Sequence, residues 1–226
     1  MQIRALHNWQ MTPAEAVQLQ VSLASQLIDG PPLTLREGML VAGVDVSVQP
    51  NADGVAWSQA AVVVLAFPSF AIIETVTAQM PTPFPYVPGL LTFREGPVLV
   101  QAFEKLVSAP DVFIFDGMGR AHPRRIGIAA HMGLWLDRPT IGCGKTLFVG
   151  RHDEPPHERG AWAPLVHRGD LIGAALRTRP HVKSVYISAG HRIDLASSIA
   201  VTMACTGKYR LPEPIRAAHN AAGQMG

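Results

Sequence analysis

The spacing of apolar positions changes several times along the chain, and each change predicts an element. Val17, Val21, Ala24 and Ile28 recur at helical spacing, with Leu19, Leu23 and Leu27 widening the stripe. Thr12 and Glu15 form a capping box before them, with Pro13 at the first helical position, and Gly30-Pro31-Pro32 marks the end. Met39–Val48 reads as a strand, followed by β-prone runs over Ala60–Phe67 and Ala71–Val76. The Asp53-Gly54 turn and the short link at Pro68-Ser69 predict an antiparallel meander, with Glu74 on its solvent face. Pro81, Pro83, Pro85 and Pro88 forbid regular structure over 81–89. Val98, Leu99, Ala102, Phe103 and Leu106 predict a helix opened at Pro97, with Glu95 just before it. Val112–Phe115 is a short buried strand, and Pro123 is placed to open a helix that continues over Ile126–Leu136. Leu165–Leu176 and Val182–Ile187 read as further strands. Leu195, Ile199 and Met203 give a helix ending at Gly207, and Pro214 opens a last short one.

Strands alternating with helices make this an α/β chain, and 226 residues without internal repeats suit a single domain. Hydrophobic content of 48% with 16% charged residues excludes a disordered chain. No apolar run reaches the ~18 residues a bilayer span needs, so no membrane partner is expected. Met1–Trp9 lacks the apolar core of a signal peptide, and Cys143 and Cys205 are too few for a disulfide framework; a reducing cytoplasm is the expectation. Charge is divided unevenly. Residues 1–116 carry four Lys/Arg against ten Asp/Glu, and residues 117–226 carry fifteen against seven. A polyanion lying across the second half and meeting a metal at the junction would account for this; a solvated basic face would too.

The candidate chemistry starts at that junction. Asp116 closes the strand Val112–Phe115 and precedes Gly117 and Gly119, so a carboxylate at a strand end is followed by backbone that a bulky group can approach. Asp45 sits between valines inside a strand, where an ionised carboxylate must be paired, exposed or metal-bound. If the first and fourth strands are neighbours, Asp45 and Asp116 come side by side and repel unless a cation bridges them. Mg²⁺, which takes one or two carboxylates plus waters and phosphate oxygens, suits such a pair. Glu95 at a helix start has a simpler reading as a favourable charge on the dipole. Lys145 follows Gly144, but Pro139 stands where a P-loop needs its first glycine; Lys145 is left as a phosphate or water contact. His122 and His131, nine residues apart, are half a turn out of phase and cannot share an ion from one helix. His122 is read as a loop donor and His131 as a packed core histidine. Phe84 and Tyr86 on the proline-rich loop are candidate wedges between bases, though covering the core is the simpler role for them. From the residues alone, this is a metal-dependent phosphoryl-transfer site.

The chain also resembles the endonuclease V family over roughly residues 10 to 220. The resemblance is carried by Val44-Asp45-Val46-Ser47, by Pro85-Tyr86-Val87-Pro88-Gly89-Leu90-Leu91-Thr92-Phe93-Arg94-Glu95, by Asp116–Arg124, by Gly144-Lys145-Thr146, by Gly190-His191 and by Arg210–His219. It implies a ribonuclease-H-like mixed sheet, its first three strands antiparallel, flanked by helices. It implies Asp45 and Asp116 as metal ligands with Glu95 completing the acidic cluster, and Lys145 and His219 as catalytic helpers; unaided, the residues gave no reason to choose His219. Tyr86 corresponds to the wedge, and Gly89, Leu91, Gly117 and Ile128 to the lining of a hypoxanthine pocket, with His122 beside them as a substrate contact. The implied activity is Mg²⁺-dependent hydrolysis, with Mn²⁺ as a substitute, of the second phosphodiester 3′ to deoxyinosine in DNA by a monomer. Inosine-containing RNA is the alternative substrate, and a non-catalytic inosine-binding module the alternative role. Val48, Ala189 and Cys143 depart from common family residues, and none of these departures removes a carboxylate.

Overall fold

The structure, a computed structural model, describes residues 1–224. One side of its sheet is the meander the alternating pattern predicts: β1 (Leu40–Pro50), β2 (Ala56–Ala66) and β3 (Ala71–Pro81), with β1–β2 and β2–β3 antiparallel and β3 at the edge. β4 (Val112–Phe115) lies parallel to β1, with Val44 opposite Phe115, and β5 (Thr140–Gly144) lies parallel to β4. β6 (Trp162–His167), β7 (Asp170–Leu176) and β8 (Val185–Ala189) complete one eight-stranded sheet in the order β3-β2-β1-β4-β5-β8-β7-β6. The adjacency of first and fourth strands, which the aspartate pair requires, is present.

Two-residue alternation along the central strands divides the core between the two faces of the sheet. Ala42, Val44, Phe113 and Phe115 pack against α2 (Leu91–Lys105) and α3 (Ile128–Leu136). Val41, Val112, Ile114 and Ile141 pack on the other face with Val201 of α4 (Leu195–Ala204) and Ile215 of α5 (Glu213–Ala222). α1 (Pro13–Ala24) sets Leu23 against Ile126, Ala130 and Leu134; both halves of its capping box form.

Several boundaries differ from expectation, each for a local reason. α2 starts at Leu91, so Glu95 lies inside the helix and not ahead of it. Pro97 is tolerated within α2 although it removes a backbone donor. It follows Gly96, whose missing side chain leaves room for the Trp9 indole; a Cβ there would come within 2.4 Å of the ring. Pro123 does not open α3. Arg125 takes φ 62°, which breaks the helical run, and α3 begins after Gly127. The run over 165–176 is a hairpin, because Arg168 (φ 56°) and Gly169 (φ 87°) make a tight two-residue turn between β6 and β7. α1 stops at Ala24 rather than reaching Gly30, and α4 stops at Ala204 rather than Gly207. Glu74 is partly exposed and accepts backbone N–H bonds from Val107 and Ser108 at 2.9 and 2.8 Å, tying β3 to the turn after α2. Cys143 and Cys205 are free and buried, each thiol pushed up to about 12 by desolvation. Among the described residues no helix is long and apolar enough to cross a membrane.

Candidate active site

The site lies where β4 ends beside the middle of β1. Odd positions of β1 and even positions of β4 face α5, so alternation sends Asp45 and Asp116 to the same side of adjacent strands. Gly43 lets α5 sit directly on β1: a Cβ there would come within 1.8 Å of the Pro214 carbonyl oxygen. That close approach brings His219, one and a half turns further along α5, to Asp45, with Nδ1 2.7 Å from Oδ2. Asp45 Oδ1 accepts the Val46 N–H at 2.9 Å. Lys145, at the end of the neighbouring β5, forms an ion pair with Asp116. Its backbone is fixed by Arg210, whose guanidinium donates to the carbonyls of Lys145 (2.6 Å), Ser184 (2.8 Å) and Lys183 (2.9 Å).

Asp45, Asp116 and His219 each offer a ligand atom, and the three atoms lie within 4.8 Å of one another. Their electrostatics favour an added positive charge. Asp45 is raised above the usual carboxylate range by burial and then by the Asp116 charge; contacts with His219 and Lys145 offset this only in part. Glu95 reaches the cluster from α2, on the opposite face of the sheet. It is not one of the three grouped ligands, but burial, then Asp45 and Asp116, push it up to about 8. Two aspartate oxygens and an imidazole nitrogen at this spacing, with a third carboxyl nearby, fit a divalent cation.

Beside the cluster, on the α2/α3 face, an apolar pocket of about 140 Å³ opens between the proline-rich loop and the start of α3. Gly89, Leu91, Gly117, His122 and Ile128 all line it, with Tyr86 at the mouth. Glycine is required at 117, where φ is 153° and a Cβ would lie 2.6 Å from Ile128 Cγ2. The Gly89 carbonyl accepts from Gln20 Nε2 (3.0 Å) and Arg124 Nη2 (2.8 Å), and His122 Nε2 lies 3.0 Å away. The other ring nitrogen of His122 accepts the Arg124 N–H at 3.2 Å, so Nε2 carries the proton and donates. Burial and Arg124 push His122 down to about 4, keeping it neutral. The loop separates its two aromatics. Phe84 is 6% exposed and packs on Phe93 and Leu90, so it covers the core and is no wedge, whereas Tyr86 is 71% exposed. Phe148, 43% exposed, also lines the pocket, with its ring 5.7 Å from that of His122. Sequence reasoning missed it; an aromatic three residues after Lys145 was the only available signal. His131 is a buried core residue as expected, in contact with His7 Nε2 at 2.8 Å.

A mixed sheet of this order, with one carboxylate within its first strand and another at the end of its fourth, is the architecture of ribonuclease-H-like nucleases, and this chain is a nuclease of that class. A family model described as Endonuclease V matches residues 22–220. The chain is 49% identical over 222 residues to the endonuclease V of Trichormus variabilis, covering 98% of this chain and 99% of the relative. It superposes on the crystal structure of the Bacillus subtilis endonuclease V with a TM-score of 0.92 at 33% identity, covering 98% of this chain and 95% of that one. A Ciona intestinalis endonuclease V in complex with a 23mer DNA containing an inosine followed by a ribo-adenosine superposes with a TM-score of 0.81 at 26% identity, over 94% and 97%. The chain belongs to the endonuclease V family and is an endonuclease that hydrolyses DNA.

Proposed function

We propose that this protein, acting as a single-domain monomer over residues 1–226, is a Mg²⁺-dependent repair endonuclease. It hydrolyses the second phosphodiester on the 3′ side of deoxyinosine, leaving 3′-hydroxyl and 5′-phosphate ends. The observation that carries this is the placement of a three-ligand cluster directly beside a glycine-lined pocket on one strand edge. The pocket takes the hypoxanthine: Gly89 and Gly117 let backbone approach a flat base, Leu91 and Ile128 cover its faces, and the fixed His122 holds the Gly89 loop. Tyr86 fills the gap the extruded base leaves in the duplex. Asp45 and Asp116 would hold the divalent cation, Mg²⁺ or Mn²⁺ in its place, which when bound activates water and offsets charge on the phosphate. Glu95 orients water from the opposite side, Lys145 balances charge at the scissile phosphate, and His219 is placed to move a proton at Nδ1.

The experiment is a nicking assay on a 5′-labelled duplex with one deoxyinosine, mapping the product ends with and without Mg²⁺. A cut one nucleotide beyond the inosine's own 3′ phosphodiester supports the reading; equal cutting of an inosine-free duplex defeats it. The ribo-adenosine after the inosine in the Ciona complex favours a second reading, inosine-containing RNA as substrate. An RNA strand of the same sequence, assayed in parallel, decides between them.

A further inference from the structure

The carboxylate cluster separates two pockets that lie on opposite faces of the sheet. The apolar pocket with Gly117 opens on the α2/α3 face, and a second cavity of about 360 Å³ lies on the α5 face. The second one is lined by Tyr209, Arg210, Leu211, Arg216, His219 and Asn220. His219 thus belongs both to the cluster and to this cavity's wall. Tyr209 is 46% exposed at the cavity. The Arg216 guanidinium stacks on its ring, 3.5 Å from the centroid, and is fixed there by Glu213 at 2.7 Å. The exposed Lys208 has Nζ 5.9 Å from the same centroid. An exposed aromatic ring held flat by a guanidinium, with an apolar neighbour in Leu211 and two cations beside it, has the chemistry of a stacking platform for single-stranded nucleic acid.

We infer that this cavity seats the nucleotide on the 3′ side of the cut, its base on Tyr209 and its phosphate facing Arg216 and Lys208. The inference rests on the cleavage position proposed above. A strand whose inosine enters the pocket on one face, and whose second 3′ phosphodiester reaches the cluster at the edge, continues over α5 on the other face. Tyr209 and Arg216, on the same cavity wall as His219, stand along that path to receive it. The platform contributes binding rather than chemistry, and it accepts any base, since stacking reads a π-face and not an edge.

The test compares two deoxyinosine duplexes, one normal and one abasic at the nucleotide immediately 3′ of the cut. Wild-type protein should show a KM about tenfold higher on the abasic duplex, the scale of one base stacked on one ring, with kcat little changed. Tyr209→Ala should raise KM about tenfold on the normal duplex and cause no further loss on the abasic one. Tyr209→Phe, which keeps the ring, should match wild type on both. Equal losses for Tyr209→Ala on the two duplexes, or no loss on either, overturn the inference while leaving the cleavage reading intact. A wild-type protein that cuts neither duplex overturns that reading and this inference with it.

Discussion

The pocket and the carboxylate cluster adjoin on one strand edge, yet they are built on opposite physics. The pocket is finished as it stands. Its walls are apolar, the Gly89 carbonyl is surrounded by donors from Gln20, His122 and Arg124, and Gly117 packs its backbone against Ile128. The cluster is frustrated as it stands. Three carboxyls crowd one another, with Asp45 raised and Glu95 pushed up to about 8 by burial and by neighbouring charge. On the proposed reading, recognition is pre-formed in the fold, whereas cutting depends on a bound divalent cation. Each can be broken without the other.

The largest expected effect is on the charged side. Asp45→Asn should reduce nicking by about 10³-fold or more, the scale of losing a preorganised charge from a phosphoryl-transfer site. The same substitution removes repulsion, so without divalent cation its thermal midpoint should equal or exceed that of wild type. Single-turnover kinetics and thermal melts in chelator check the two halves. Next is the pocket. Gly117→Val places a branched Cβ where only 2.6 Å separates it from Ile128 Cγ2, and should cost about 10²-fold in preference for inosine over a normal base. Mn²⁺ binding, measured by paramagnetic resonance, should stay unchanged. Smaller is Arg210→Lys, which keeps the charge but cannot reach three carbonyls at once. Lys145 should lose its fixed position, lowering kcat about tenfold with KM unchanged.

The smallest effect is on stability. Desolvation holds His122 at about 4 and His131 at about 3, against 6.5 when exposed. Below pH 6.5 the unfolded chain binds protons that the folded chain refuses. The stability these two histidines contribute is thus full above pH 6.5 and falls as pH drops towards 4, by at most ~1.4 kcal/mol per pH unit for each, while Glu95, pushed up to about 8, contributes in the opposite sense over the same range. Urea unfolding at pH 7 and pH 5 checks this: His131→Leu should lose less stability than wild type between the two.

How much of this could be read beforehand depended on whether the signal was local. Asp45 was visible because a carboxylate between valines contradicts its surroundings. The capping box of Thr12 and Glu15 was visible because both partners are three residues apart. The boundaries at Pro97 and Pro123 were misjudged because tertiary packing overrode local preference: Trp9 fills the space at Gly96, and Arg125 adopts a left-handed conformation that its residue type does not announce. His219 was invisible to residue-level reasoning, since its role depends on Gly43, far away in the chain, admitting the Pro214 backbone. Only the family resemblance supplied it. Phe84 and Tyr86 looked equivalent in a proline-rich loop, and only burial separates the anchor from the free ring.

The separation of recognition from cutting is tested most directly with Asp116→Asn. Binding to an inosine duplex and to a matched adenine duplex would be measured in chelator, and nicking then followed as Mg²⁺ is added. Wild-type preference for inosine together with no nicking at any Mg²⁺ concentration is the expected result. Nicking at the wild-type rate, or loss of the inosine preference along with the activity, would contradict it.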